Sequence, residues 1–137
     1  MRLTRHTDYA LRILLQAAAE PGKRLSIAGV AETQGIARNH AMKVVNELAS
    51  AGLLATVRGR GGGFTLGRPA SEITIGAVVR LTEPDLRPAD CDSCALAAGC
   101  GLKSMLRDAV RAFLAELDQH TLETAAAGTR LPLPVLG

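Results

Sequence analysis

Three cysteines lie within ten residues, in the stretch CDSCALAAGC at positions 91–100, and the chain has no others. Cys91, Cys94 and Cys100 follow a C-x2-C-x5-C spacing. Three thiols are too many for one disulfide and one short of a closed four-thiolate metal site. Four chemistries compete. Cys91 and Cys94 could form a dithiol redox pair, but no βαβ pattern surrounds them. The thiols could form a reversible disulfide sensor, with one sulfur left over. They could bind structural zinc, which takes four protein ligands. They could hold an iron–sulfur cluster, with a fourth ligand from elsewhere. A site with one labile, non-thiolate ligand can react, whereas four thiolates close it. Three thiols therefore favour a sensor over a staple.

A second group of residues suits nucleic acid. Arg38, Asn39, His40 and Lys43 follow one another closely, and Arg58 and Arg60 sit in the run Arg58-Gly59-Arg60-Gly61-Gly62-Gly63. Arginine can bond guanine, asparagine can bond adenine, and lysine suits a phosphate. His40 fits a base contact, a phosphate contact or an ordinary surface position. Glycines let a hairpin tip lie close to another molecule. Charge is divided in the same sense. Residues 1–70 hold ten Lys/Arg against four Asp/Glu, and residues 71–137 hold six against nine. A basic head on an acidic body is the electrostatic footprint of DNA binding. Read blandly, the same residues are a polar helix turn, a solvated hairpin tip and ordinary surface charge.

The elements that must carry these groups follow from periodicity. The chain is 47% hydrophobic but 2% aromatic, without Trp, so its core is aliphatic and favours helices. Apolar residues at helical spacing predict a first helix over 4–19, ended by Pro21-Gly22. Ser26 caps a short helix, and Gly35 supplies the turn into a third, with Met42, Val45, Leu48 and Ala49 as its buried stripe. Helix, glycine turn, helix is a helix-turn-helix pattern. Two β-prone runs, 54–57 and 64–66, flank the glycine-rich tip and make a wing. A fourth helix is expected within 71–82, starting at Thr74, with Ile75, Val78, Val79 and Leu81 packing inward. The longest helix is expected from 101 to about 124, carrying Leu102, Leu106, Ala109, Val110, Phe113, Leu117 and Leu122. That stripe is long for the chain, so part of it should pair with a second subunit.

The expected fold is therefore mainly α with a small β-hairpin wing. Its divisions are a winged helix-turn-helix at 1–70, a loop and dimerisation helix at 71–128, and an extended, poorly ordered tail at 129–137. No apolar run approaches the length of a membrane span, and the N-terminus lacks the apolar core of a signal peptide, so the cytoplasm is the expected compartment. No convergent acid, base and nucleophile is present, which argues against an enzyme.

The segments MRLTRHTDYALRIL, IAGVAETQGIARNHAMKVVNELASAGLLATVRGRGGGFTLGRPASEITIGAVVRLTE and CGLKSMLRDAVRAFLAELDQHTL resemble the Rrf-type winged-helix repressors, in particular their nitric-oxide-sensing branch. The resemblance implies a homodimer that binds a palindromic double-stranded operator and releases it on nitric oxide. It implies one iron–sulfur cluster per subunit on Cys91, Cys94 and Cys100. An iron–sulfur-regulating relative has a histidine three residues after its third cysteine, and Lys103 stands there in this chain. In the nitric-oxide branch an aspartate of the first helix can serve instead, which maps to Asp8, with His6 as the other candidate. Asp8 also reads as a first-turn aspartate favoured by the helix dipole. The gap between the first two cysteines is shorter than is usual in that branch. This leaves a 2Fe–2S cluster beside the favoured 4Fe–4S. The alternative is a factor that responds to cluster status or to oxidants through its thiols.

Overall fold

A computed structural model of the chain describes residues 1–132. Helix α1 spans Arg5–Ala19, with Thr4 as its cap. The Thr4 hydroxyl accepts from the Thr7 N–H at 3.3 Å. Ala10, Ile13, Leu14 and Ala17 recur every three or four residues and form its buried face. Helix α2 covers Ile27–Gln34, capped by the Ser26 hydroxyl, which accepts from the Gly29 N–H at 2.9 Å. Gly35 ends α2 at φ +65°, a left-handed conformation that glycine adopts without steric cost.

Helix α3 covers Arg38–Ser50 and buries Ala41, Val44, Val45 and Leu48. Met42, expected in that stripe, is 44% exposed. It lies one residue beyond Ala41, about 100° around the helix, and so faces away from the core.

The wing is an antiparallel pair, β1 Leu54–Val57 and β2 Gly63–Leu66, in the register Leu54↔Leu66 to Val57↔Gly63. Leu25 adds an antiparallel bridge to Phe64. Phe64 is 1% exposed and is one of the core's largest fully buried side chains.

The fourth expected helix starts behind Thr74, as its pattern suggested. A 3-10 turn occupies Ala70–Glu72, and helix α4 covers Ile75–Thr82 behind a Thr74 cap. The Thr74 hydroxyl accepts from the Ala77 N–H at 3.1 Å. Val78 and Val79 are buried as expected, whereas Leu81 is 38% exposed.

The long C-terminal helix is two helices, α5 Leu102–Asp118 and α6 Leu122–Ala127. Strand-like pairing makes the break. The Ile75 N–H donates to His120 O at 2.9 Å, and the Leu122 N–H donates to Ile73 O at 2.8 Å. These bonds replace helical ones, and Thr121 caps the new helix. Helix α6 then packs on α1 and buries Leu122 completely. Helix α5 packs on α4, yet buries none of its own residues. Residues 129–132 are irregular. The remainder of the expected tail, 133–137, lies outside the described residues.

Candidate nucleic-acid interface and sensing loop

The first turn of α3 presents Arg38 and Asn39, with Lys43 one turn further on, and all three are exposed. Arg58 and Arg60 are exposed at the wing tip. These side chains therefore hold their charges in solvent, on α3 and on the wing that packs against it.

His40 is placed differently. It is half-buried between α3 and α1. Its ring stacks on His6 at 5.7 Å between centroids and receives the edge of Tyr9 at 4.7 Å. The His6 ring nitrogen meets the Glu47 carboxylate, and the Arg12 guanidinium lies 5.7 Å from the centre of the Tyr9 ring. This aromatic cluster helps pack α3 against α1.

Burial, followed by the neighbouring His6, Lys43 and Arg5, holds the His40 imidazole below its ordinary value. The groups around it are thus three cationic or ionisable bases, with Glu47 reached only through His6 and the Tyr9 ring edge alongside. Protonation opposes the fold when the folded pKa is depressed. The neutral form's contribution is complete above the unfolded value of about 6.5 and is lost as pH falls toward the lower folded value. NMR titration of the full chain should therefore place His40 below about 6.5. Unfolding in urea should return it to the ordinary value.

The two candidate oxygen and nitrogen ligands are engaged within the head. Asp8 is half-buried and pairs with Arg12 at 2.7 Å. His6 pairs with Glu47.

The three cysteines are free thiols in the irregular segment between α4 and α5. Cys91 and Cys100 are half-buried and Cys94 is exposed. A chain of turns shapes the segment. The Cys94 N–H donates to Cys91 O at 3.4 Å and the Ala97 N–H to Cys94 O at 3.1 Å. Arg87 braces it by bonding Asp85 at 3.0 Å and Asp92 at 2.7 Å. The Arg87 hydrogen bond holds the Asp85 carboxyl below its usual value, and the Ser93 hydroxyl does the same for Asp90. A cavity of about 360 Å³ separates the segment from α5, with Cys91, Leu86 and Pro88 on one wall and Leu106 and Val110 on the other. Lys103 also borders it.

Thiols are soft ligands that suit iron or zinc chemically, and of the three only Cys91 borders the cavity. Among the described residues, however, no three His, Cys, Asp or Glu side chains are gathered closely enough to hold a metal ion.

Sequence reasoning missed the junction between head and loop. Glu83 follows α4 and opens the cysteine segment. Its carboxylate accepts from the Thr4 N–H at 3.2 Å, the Thr4 hydroxyl at 3.2 Å and the Thr7 hydroxyl at 2.5 Å. Thr7 and Thr82 are buried, and their hydroxyl oxygens lie 2.9 Å apart. A carboxylate at the N-terminus of α1 also meets the positive end of the helix dipole. The one legible signal was Thr4 at the expected start of the first helix.

Comparison with known proteins agrees with this architecture. Residues 3–128 match the family described as "Rrf2: Iron-dependent Transcriptional regulator". The HTH-type transcriptional regulator NsrR of Bacillus subtilis (strain 168) is 46% identical over 128 residues, spanning 89% of this chain and 88% of that protein. CymR (YrzC), the global cysteine regulator of B. subtilis, superposes with a TM-score of 0.74 at 29% identity, covering 95% of this chain and 99% of CymR. IscR of T. potens shares the fold, with a TM-score of 0.78 at 23% identity over 95% of this chain and 89% of that one. With its winged helix-turn-helix, its long C-terminal helix and a family match across nearly its whole length, the chain belongs to the Rrf2 family of transcriptional regulators.

Proposed function

We propose that the chain is a homodimeric DNA-binding regulator that senses redox-active signals through Cys91, Cys94 and Cys100. The observation that carries this reading is the position of the free thiols. They lie between α4, whose end is tied to the DNA-facing head through Glu83, and α5, none of whose residues is fully buried within its own protomer. A change in the loop therefore bears on the head on one side and on the subunit contact on the other.

The thiols suit an iron–sulfur cluster, of 4Fe–4S or 2Fe–2S type, completed by a donor brought in when subunits associate. Asp8 of a second copy is the candidate donor, since Arg12 is its only charged partner within the protomer's described residues. Bound there, a cluster would supply iron reactive toward small oxidants and nitric oxide. The residues of the chain do the rest. Arg38, Asn39 and Lys43 face one half of a palindromic operator, Arg58 and Arg60 grip the flanking backbone, and the dimer sets the spacing of the two heads. Nitric oxide as the specific signal follows from the resemblance to the NsrR branch. A broader response to oxidants needs only the thiols, and the exposed Cys94 favours it as the second reading.

Protein purified without oxygen should be coloured and carry iron, and Ser replacement of any one cysteine should remove most of both. Operator binding of the coloured form should fall on exposure to nitric oxide. A colourless protein that releases DNA with diamide supports the thiol reading instead. A colourless, zinc-loaded protein that ignores both reagents refutes the sensing proposal.

A further inference from the structure

We infer that Arg24 is a positioning residue for DNA binding, holding the wing tip so that Arg58 and Arg60 act together. The inference rests on the reading of the wing as a DNA contact. Arg24 stands in the connection between α1 and α2, and its guanidinium donates to the carbonyl oxygen of Gly61 at the tip. The next residue, Leu25, joins the sheet through two bonds to Phe64, at 2.9 and 2.8 Å. Residues 24 and 25 thus form a short third edge to the wing, and Arg24 extends that edge to its far end.

The tip needs such a tether. Gly59 and Gly61 adopt φ +93° and +72°, and the Gly62 N–H closes the turn on Gly59 O at 2.9 Å. A Cβ at Gly62 would lie 2.5 Å from Val57 O, and one at Gly63 would lie 2.2 Å from Leu25 O. Backbone packing therefore demands glycine, and glycine loses more freedom on ordering than any other residue. Left alone, the tip would sample many conformers, and its arginines would each pay an ordering cost on binding DNA. The Arg24–Gly61 bond meets part of that cost in the free protein. It spans 37 residues of sequence, so no local pattern announces it.

The test is a mutant cycle on full-length dimer, with duplex operator selected by the protein from a randomised pool. Arg24→Ala should weaken binding about tenfold, the coupling of groups acting as one unit. Added to Arg58→Ala with Arg60→Ala, it should cost less than about twofold more, since there is then nothing left to position. Hydrogen exchange at 61–63 should accelerate in Arg24→Ala while the melting temperature holds, because the side chain is exposed. Arg24→Lys, which keeps the charge without the guanidinium fork, should fall between Ala and Arg. Losses that simply add, or an Arg24→Ala protein that binds normally, would overturn the inference and leave Arg24 an independent surface cation. If Arg58→Ala with Arg60→Ala binds normally, the wing reading itself is refuted, and this inference with it.

Discussion

A protein carrying Met105→Asp and Ala109→Asp should be a folded monomer that binds a palindromic operator about 10²–10⁴-fold more weakly than the parent chain. Helix α5 carries two adjoining apolar stripes. Leu106, Val110 and Phe113 turn toward their own protomer and line cavities beneath the cysteine loop and the N-terminus. Leu102 and Met105 are 56% and 66% exposed, and Ala109 and Ala112 continue their line at the same three- and four-residue spacing. Small residues in the middle of such a stripe allow a second helix to approach closely. Carboxylates placed there lie in solvent in the monomer, so the fold should survive at a cost of about 1–2 kcal/mol in helix propensity and like-charge repulsion. In the dimer each would be buried without a cation, at a cost of several kcal/mol. The affinity loss follows from avidity, because two linked heads bind as one ligand and separate heads do not. Sedimentation, circular dichroism and binding to whole and half operators give the three readouts. A variant that stays dimeric and binds the palindrome normally would remove α5 from the interface.

Glu83→Ala should cost about 2–3 kcal/mol of folding stability, roughly 5–10 °C in melting temperature for a chain of this size. The Glu83 carboxylate accepts three bonds from Thr4 and Thr7, and charged acceptors make the stronger hydrogen bonds. Thr7 is fully buried. Its freed hydroxyl has little water to turn to. Thr82 Oγ1 can accept that proton while donating its own to Val78 O at 2.8 Å, so the cost falls mainly on the lost charge-assisted bonds themselves. Glu83→Gln keeps the shape and part of the bonding, and should lose about half as much. Thr7→Val added to Glu83→Ala should cost little more than Glu83→Ala alone, since both remove the same bond. The effect should extend beyond stability. Glu83 is where the cysteine loop leaves α4, so the Ala variant should bind operator more weakly even after correction for the unfolded fraction. Urea melts and anisotropy titrations on the same preparations separate the two. Unchanged stability in Glu83→Ala would mean that the buried hydroxyls, and not the carboxylate, hold head and loop together.

The features legible without a structure are those set by nearest neighbours. Caps at Ser26 and Thr74, the left-handed turn at Gly35 and the hairpin around its glycine run are written in short windows, because each depends on one side chain and a few adjacent amides. The exposed Arg38, Asn39, Lys43, Arg58 and Arg60 were readable for the same reason, as were the three cysteines. Periodicity placed the helices but judged their faces less well. Met42 and Leu81 are apolar residues at the edge of a stripe, and which edge is covered depends on the neighbouring element.

Residues far apart in the chain settled the rest. The break between α5 and α6 exists because the backbone at 120–122 pairs with that at 73–75. His40 of α3 packs on α1 because His6 and Tyr9 reach it there. Glu83 and Arg24 acquire roles from partners 76 and 37 residues away. The amino-acid sequence alone determined the kinds of chemistry available, a basic reading head and a cluster of soft thiols, since those reside in side-chain identity. Only the tertiary structure decided how head, wing and loop are tied to one another, because hydrogen bonds and packing depend on distance in space and not on separation along the chain.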